Sequence, residues 1–332
     1  MYEIPLILED YLNYMEAIKG TSPNTTREYF FDLRTFFRFI KLRYKLVDKN
    51  TPFEEIDISD VDIEIINKIN IQDLYSFISY VDRDRNNGNF SKHRKVASLK
   101  SFFDYLYSKV NLISKNPADK LEFPKTDIRH PIYLTLEECE TLLNTVLENK
   151  NNLFRKRDYA IVTLFLNCGL RLSELSSINL NKIKDDTLTV IGKGNKERTI
   201  YLNEACINAI NDYMAVRPKD GPDNNALFLS MRKRRMSNRA IQHMIDKYLE
   251  KAGFDTSVYS THKLRHTAAT LMYKYGNVDI RALQEILGHE NVSTTQIYTH
   301  IDDDRLREAV KSNPLSNIKP ETIKKNNSNK NN

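Results

Sequence analysis

Only one stretch of the chain reads as β. Thr187–Ile191 (TLTVI) and Arg198–Leu202 (RTIYL) are strand-like, and Gly192-Lys193-Gly194-Asn195-Lys196 joins them as a Gly-rich turn. Wherever else the apolar residues recur with a period, that period is helical. The expected architecture is therefore mainly α, with one small hairpin or sheet set on a helical domain. The 332 residues suggest two domains. Nine Gly and ten Pro are too few for a loop-rich β protein, and 40% hydrophobic residues are enough for real cores.

The helices group into two sets. Apolar residues from Pro5 to Ile18 follow the helical spacing, and Ser22-Pro23 supplies an N-cap and a first-turn proline for a helix running to Tyr44. Lys45 to Ile69 is acidic and aperiodic and reads as an elaborated loop. Ile71–Val81 and Ser91–Tyr107 complete a helical domain over residues 1–115. Residues 116–131, with Pro117, Pro124 and Pro131, read as a linker. The second domain spans 132–312. Thr135 and Glu138 form a capping box at its start, and the nearly all-apolar helix from Arg155 to Leu166 lies at its centre. Gly288 is placed to end a helix, and Ser293–Gln296 to begin another that carries Tyr298. The Asn/Lys-rich tail 313–332 has the composition of a disordered segment.

The net charge of +6 is modest, but it is unevenly distributed. Lys92, Arg94, Lys95 and Lys100 form one basic run, and Arg232, Lys233, Arg234, Arg235 and Arg239 form another. Acids cluster from Glu54 to Glu64 and again at Glu137, Glu138 and Glu140. Two basic runs in separate halves fit a clamp around a polyanion, although each run alone is more often a solvated helix face. Three Cys without CxxC or CxxH spacing argue against a disulfide framework and a structural zinc, and fit a reducing cytoplasm. The acidic N-terminus is no signal peptide, and no apolar run reaches a membrane span. Neither ATP-driven work nor metallohydrolase chemistry has a motif.

Four strings concentrate the chemistry: Cys168-Gly-Leu-Arg-Leu-Ser-Glu-Leu175, Gly192-Lys-Gly-Asn-Lys-Glu-Arg198, His262-Lys-Leu-Arg-His-Thr267, and Leu287-Gly-His289 followed by Tyr298. Cations at turns and helix starts suit anion recognition, since a guanidinium grips phosphate through parallel hydrogen bonds. His262 and Arg265, three apart, share one helix face. Taken singly, each string has a structural reading: an ion pair at Arg171 and Glu174, a plain hairpin turn, packed histidines, or a helix-turn-helix over Asp279–His300. Their joint occurrence in this order is what those readings leave unexplained.

In that order the strings resemble the tyrosine recombinases, the family of phage-type integrases and Xer recombinases. The resemblance covers essentially the whole chain, is specific in the second half and rests on helical pattern in the first. It implies a SAM-like core-binding domain followed by a catalytic domain of the DNA breaking–rejoining fold. It also implies catalytic roles for Arg171, Lys193, His262, Arg265, His289 and Tyr298, with Lys196 the alternative if the turn is set differently. Cys168 stands where the family often has a small or hydroxyl residue, a change expected to be neutral. With no further domain ahead of Leu6, the likeness is to a simple recombinase rather than to an integrase with two classes of DNA site.

The implied reaction uses no metal, ATP or other cofactor. Tyr298 attacks a scissile phosphodiester to give a 3′-phosphotyrosine, with His262 as acid/base helper, Arg171 and Arg265 on the non-bridging oxygens, His289 on the same phosphate and Lys193 protonating the leaving oxygen. Glu174 is expected to orient Arg171 or a neighbouring helix, and His266 to be structural. Arg94, Lys95, Lys100, Arg232, Arg234, Arg235 and Arg239 are the candidate DNA contacts. The implied partners are double-stranded DNA at specific sites and a homo- or hetero-tetramer, with the helix near Asp303–Val310 a docking candidate and no membrane insertion. Xer-like resolution of chromosome or plasmid dimers and mobile-element integration both fit. The alternatives are a type IB topoisomerase and a non-catalytic DNA-binding regulator.

Overall fold

The computed structural model describes residues 4–85, 88–125, 131–149, 154–192, 196–276 and 278–298. Lys193, the tail 313–332 and the helix expected near Asp303–Val310 lie outside these. The chain divides into two compact units, Met1–Asp127 and Ile128–Asn332.

The first unit is helical: α1 (Leu6–Ala17), α2 (Pro23–Arg43), α3 (Ile63–Lys68), α4 (Ile71–Arg83) and α5 (Asn89–Asp104), the last continued by a π-turn over Tyr105–Lys109. Local chemistry sets the starts. The Ser22 hydroxyl accepts from the Thr25 amide ahead of Pro23, and Asn70 and Asp73 form a capping box at α4. The core is aromatic, with Phe36, Phe37, Phe77, Phe102 and Phe103 buried around Leu33 and Leu99. Phe36 meets Phe77 and Phe103 edge-on at 5.2 and 6.2 Å, a favoured ring geometry.

Three expectations change here. The segment 45–69 is more than a loop, because it contains α3 and buries Ile56, Ile58, Val61, Ile66 and Ile69. Its acids fold back on α2, where Glu54 takes Arg38 and Asp60 takes Lys41 at 2.6 Å. Residues 116–121 belong to the first unit rather than to a linker. Ala118 and Leu121 are in its core, and the Lys100 ammonium donates to the carbonyls of Ala118, Asp119 and Leu121, each at 3.0 Å. Lys100 is therefore committed to holding that turn.

Lys95 is likewise no surface contact, since its Nζ lies 2.6 Å from the buried Asp32 carboxylate. Arg94, part-exposed, pairs with Glu28 at 2.7 Å and with Asp32 at 2.9 Å. Asp32→Ala would leave the Lys95 ammonium buried without its partner. It should destabilise the first unit by about 3 kcal/mol, readable as a lower denaturant midpoint with unchanged slope.

The second unit contains α6 (Leu136–Glu148), α7 (Arg155–Cys168), α8 (Leu172–Ser176), the strands β1 (Ile183–Lys184), β2 (Thr187–Ile191) and β3 (Glu197–Tyr201), then α9 (Glu204–Met214), α10 (Asn238–Lys251), α11 (Thr261–Tyr275), α12 (Ile280–Leu287) and α13 (Ser293–Gln296). The Thr135–Glu138 capping box forms as expected. Helix α7 is buried on nearly every side, with Ala160, Ile161, Val162, Leu164 and Phe165 all inside. The hairpin is the middle and edge of a three-stranded antiparallel sheet, β1-β2-β3, with Leu188 opposite Ile200 and Val190 opposite Arg198. Those four residues face inward, while Thr189, Glu197, Thr199 and Tyr201 face outward, following the two-residue period of a strand.

Two further expectations change. Helix α13 has Val292 at its N-cap and no side-chain cap there, and Tyr298 follows the helix rather than lying within it. Arg235 is not free for DNA. Its guanidinium donates to the carbonyls of Ser176 and Ile178, both at 3.0 Å, and to the Asn179 side chain, tying the 232–239 segment to the end of α8. Arg232, Arg234 and Arg239 are exposed.

Candidate active site

The second unit gathers its functional side chains around one carboxylate. Helix α7 ends at Gly169, whose φ of +59° is left-handed; a Cβ there would lie 2.8 Å from Leu287 Cδ2. The chain can therefore turn sharply against α12 and place Arg171 at the start of α8. Three residues on, Glu174 is only 1% exposed and accepts the Arg171 amide at 2.7 Å. Its Oε1 also accepts from Arg171 Nη1 at 2.8 Å and from Arg198 Nε at 3.3 Å. Its Oε2 accepts from Arg198 Nη2 at 2.8 Å, with Arg265 Nη1 3.8 Å away. Burial alone would raise the carboxyl pKa, but hydrogen bonds and charge from Arg198 and Arg171 outweigh it and hold Glu174 ionised, below the usual range.

The same three arginines grip the end of α12. Arg198 Nη1 donates to the Ile286 carbonyl, Arg265 Nη2 to Leu287 at 2.6 Å, and Arg171 Nη2 to Gly288 at 2.7 Å. These are successive carbonyls at a helix C-terminus, where orphan acceptors and the negative dipole end favour cations. Arg265 also donates to the Gly169 carbonyl at 2.6 Å. Burial, then Arg171, lowers its pKa to about 10, so it remains charged at neutral pH.

Gly288 caps α12 with φ +62°, as its sequence position suggested, and so places His289 just past the helix. The His289 Nδ1 lies 2.9 Å from Thr295 Oγ1. Burial and the charges of Arg265, Arg171 and Arg198 bring its pKa down to about 4. On α11, His262 and His266 meet edge-on with ring centres 4.6 Å apart. His266 is the imidazole against the nucleophile candidate: its Nδ1 is 2.7 Å from Tyr298 Oη. Burial brings His266 down to about 4 and pushes the Tyr298 phenol up to about 12. Both are therefore neutral at pH 7, with the phenol protonated. The Tyr298 ring packs with Ala269, Leu283 and Leu287 between α11 and α12.

Arg171, His262, Arg265, His289 and Tyr298 thus converge, as the strings suggested. Two residues of the cluster had no assigned part in the chemistry. Arg198 stood in the quoted string after the turn, and its inward position on β3 was the available signal. His266, read as structural, lies one turn after His262 and touches the phenol. Gly192, at the base of the hairpin turn, is close enough that a Cβ would come within 3.6 Å of Glu174 Oε1 and 3.9 Å of Arg171 Nη1. Among the described residues no group of His, Cys, Asp and Glu could hold a metal, and no helix is long and apolar enough to cross a membrane.

The low histidine pKa values predict an acid-sensitive fold. Between about pH 6.5 and pH 4 the unfolded chain binds protons at His266 and His289 that the folded chain refuses. Stability therefore falls as pH drops through that window. The melting temperature of the wild type should decline from pH 7 to pH 4.5, and that of His266→Gln/His289→Gln should decline less.

The sequence profile described as the phage integrase family matches residues 133–305. A relative from Caldanaerobacter subterraneus subsp. tengcongensis named tyrosine recombinase XerC is 60% identical over 313 residues, 94% of this chain and 88% of the relative. The chain belongs to the phage integrase family. It is a site-specific tyrosine recombinase. Another family member, the tyrosine recombinase XerC of Thermodesulfovibrio yellowstonii, is 34% identical, covering 93% of this chain and 96% of its own. The fold is shared with a XerH site-specific recombinase bound to palindromic difH substrate, with 20% identity, a TM-score of 0.69 and coverage of 92% of this chain and 83% of that one. It is shared also with a Tn1549 transposon integrase in complex with circular-intermediate DNA, with 19% identity, a TM-score of 0.70 and coverage of 92% and 98%.

Proposed function

We propose that the recombinase breaks and rejoins double-stranded DNA at specific sites through Tyr298, on a phosphate held by Arg171 and Arg265. The carrying observation is the convergence of these arginines on Glu174 and the end of α12, beside the helix pair that buries the Tyr298 phenol. In the reaction the Tyr298 oxygen attacks phosphorus, the bond to the 5′-oxygen breaks, and a 3′-phosphotyrosine and a 5′-hydroxyl result. An ordinary phenol gives up its proton only near pH 10, so a base must take it during attack. The contact at 2.7 Å makes His266 a candidate for this alongside His262. Arg171, Arg265 and His289 stabilise the charge that builds on the phosphate oxygens. The hairpin lysine, Lys193 by resemblance and outside the described residues, supplies the proton to the leaving oxygen. The phosphotyrosine keeps the bond energy, so a second strand's 5′-hydroxyl can reverse the step, and two rounds on paired sites exchange strands.

The 60% identity to a XerC supports an Xer-type role on chromosome or plasmid dimers, carried out in the cytoplasm by a tetramer on two sites. The exposed Arg232, Arg234 and Arg239 are candidate phosphate contacts, setting affinity and its salt dependence. A duplex nicked just beyond the scissile phosphate traps the covalent adduct, because the freed strand end diffuses away. Adduct formation, together with recombination of a two-site plasmid, is the expected result. Relaxation of supercoils without recombination would indicate a topoisomerase, and DNA binding without adduct a regulator.

A further inference from the structure

Arg198 differs from the other two arginines on Glu174. Its Nε and Nη2 both go to the carboxylate, at 3.3 and 2.8 Å, and its Nη1 goes to the Ile286 carbonyl. Each of its three side-chain nitrogens thus has a partner inside the protein, and its side chain, 13% exposed, lies between Arg171 at 31% and Arg265 at 5%. Three of its five N–H groups are so used, and its side-on Nε–Nη2 fork is spent on the carboxylate, whereas the bonds described for Arg171 and Arg265 come from their Nη groups and the Arg171 amide. It also lies where three segments must meet. It is on β3, one residue after the strand leaves the hairpin turn; it holds the carboxylate on α8; and it holds the last turn of α12. The close fit extends to Gly288, where a Cβ would come within 2.8 Å of Arg198 Cδ.

The geometry points to Arg198 as a positioning residue for the recombinase reaction: through Glu174 and the Ile286 carbonyl, it fixes the spacing between the Arg171–Arg265 pair and His289. Without it Glu174 keeps Arg171 but loses its closest link to the sheet, and α12 loses the first of its three cationic caps. His289, two residues beyond Leu287, would then shift relative to the guanidinium pair. Catalytic groups displaced by about 1 Å can cost about 100-fold in rate. A lysine cannot restore the arrangement, because one ammonium cannot fork across both carboxylate oxygens while also reaching the carbonyl.

This inference rests on the Tyr298 chemistry proposed above, and its test separates the two. Arg198→Gln and Arg198→Lys are assayed on the nicked duplex at saturating protein, with DNA affinity and melting temperature measured on the same preparations. A second duplex carries sulfur in place of the leaving 5′-oxygen, so that departure needs no proton. The expected result is adduct formation slowed about 100-fold for Arg198→Gln and about 10-fold or more for Arg198→Lys, with affinity within about threefold of wild type. The deficit is the same on the sulfur duplex. Adding Arg198→Gln to Glu174→Gln costs less than about threefold more, because both changes break one unit. A wild-type rate, a loss matched by lost affinity or by melting below the assay temperature in both variants, multiplying effects with Glu174→Gln, or rescue by sulfur would each overturn the inference. Rescue by sulfur would put Arg198 at the leaving group instead. If the wild type forms no adduct on either duplex, the Tyr298 chemistry itself fails.

Discussion

Tyr298→Phe should form no covalent adduct on the nicked duplex while binding it within about threefold of wild type. The substitution removes one oxygen from a ring packed among Ala269, Leu283 and Leu287, so the ring's packing is preserved. The phenol's hydrogen bond to His266 is lost, leaving a half-buried imidazole that is already neutral. The cost to stability should therefore be small, about 1 kcal/mol. Among the described residues the rest of the cluster is imidazoles, guanidiniums, a carboxylate sealed by arginines, and the Thr295 hydroxyl, which is held against His289. An adduct formed by Tyr298→Phe would mean that another residue attacks the phosphate. Peptide mapping of the wild-type adduct provides the independent check.

Arg265→Ala should be the most damaging change among the cations, both in rate and in stability. Three guanidiniums against one carboxylate leave two positive charges uncompensated. A phosphodiester carries one negative charge, and its five-coordinate transition state gains a second. The centre is thus closer to balance at the transition state than with the bound substrate, which is the condition for accelerating the step. Removing Arg265 should slow adduct formation about 1,000-fold at saturating protein. It should also leave the carbonyls of Gly169 and Leu287 without their donors, destabilising the second unit by about 3 kcal/mol. Arg265→Lys restores charge but not the two-carbonyl fork, so it should recover only a small part of the rate. Full activity in the lysine variant would show that Arg265 acts as a point charge.

What could be read from the chain was what leaves a local trace. Leu33, Phe36, Phe37 and Ile40 announced the buried face of α2 by spacing alone, and Gly288 announced a helix end by its position. Segment 45–69 was hidden because its buried isoleucines follow no single period among the acids. The basic runs misled for a related reason. A lysine's charge is visible in the sequence, but its partner is not: Asp32, which takes Lys95, lies 63 positions away, and the carbonyls that hold Lys100 and Arg235 carry no sequence signal at all. Arg198 was legible in principle, since strand alternation puts it on the inward face with Leu188, Val190 and Ile200. His266 was hidden by its neighbours, because His262 and Arg265 already accounted for that turn of helix.

The dependence of the arginine cluster on the far end of α12 bears on how safely the protein is made. A DNA-breaking phenol is a hazard if it acts before the chain can also rejoin what it breaks. The carbonyls of Ile286 to Gly288 emerge during synthesis after every arginine they hold, and Tyr298 emerges after them. A nascent or truncated chain therefore carries loose cations and no nucleophile. By the time the phenol is present, the segments that assemble the phosphate cradle have all been made. Along the polypeptide, then, the phenol is the last part of the cluster to be made.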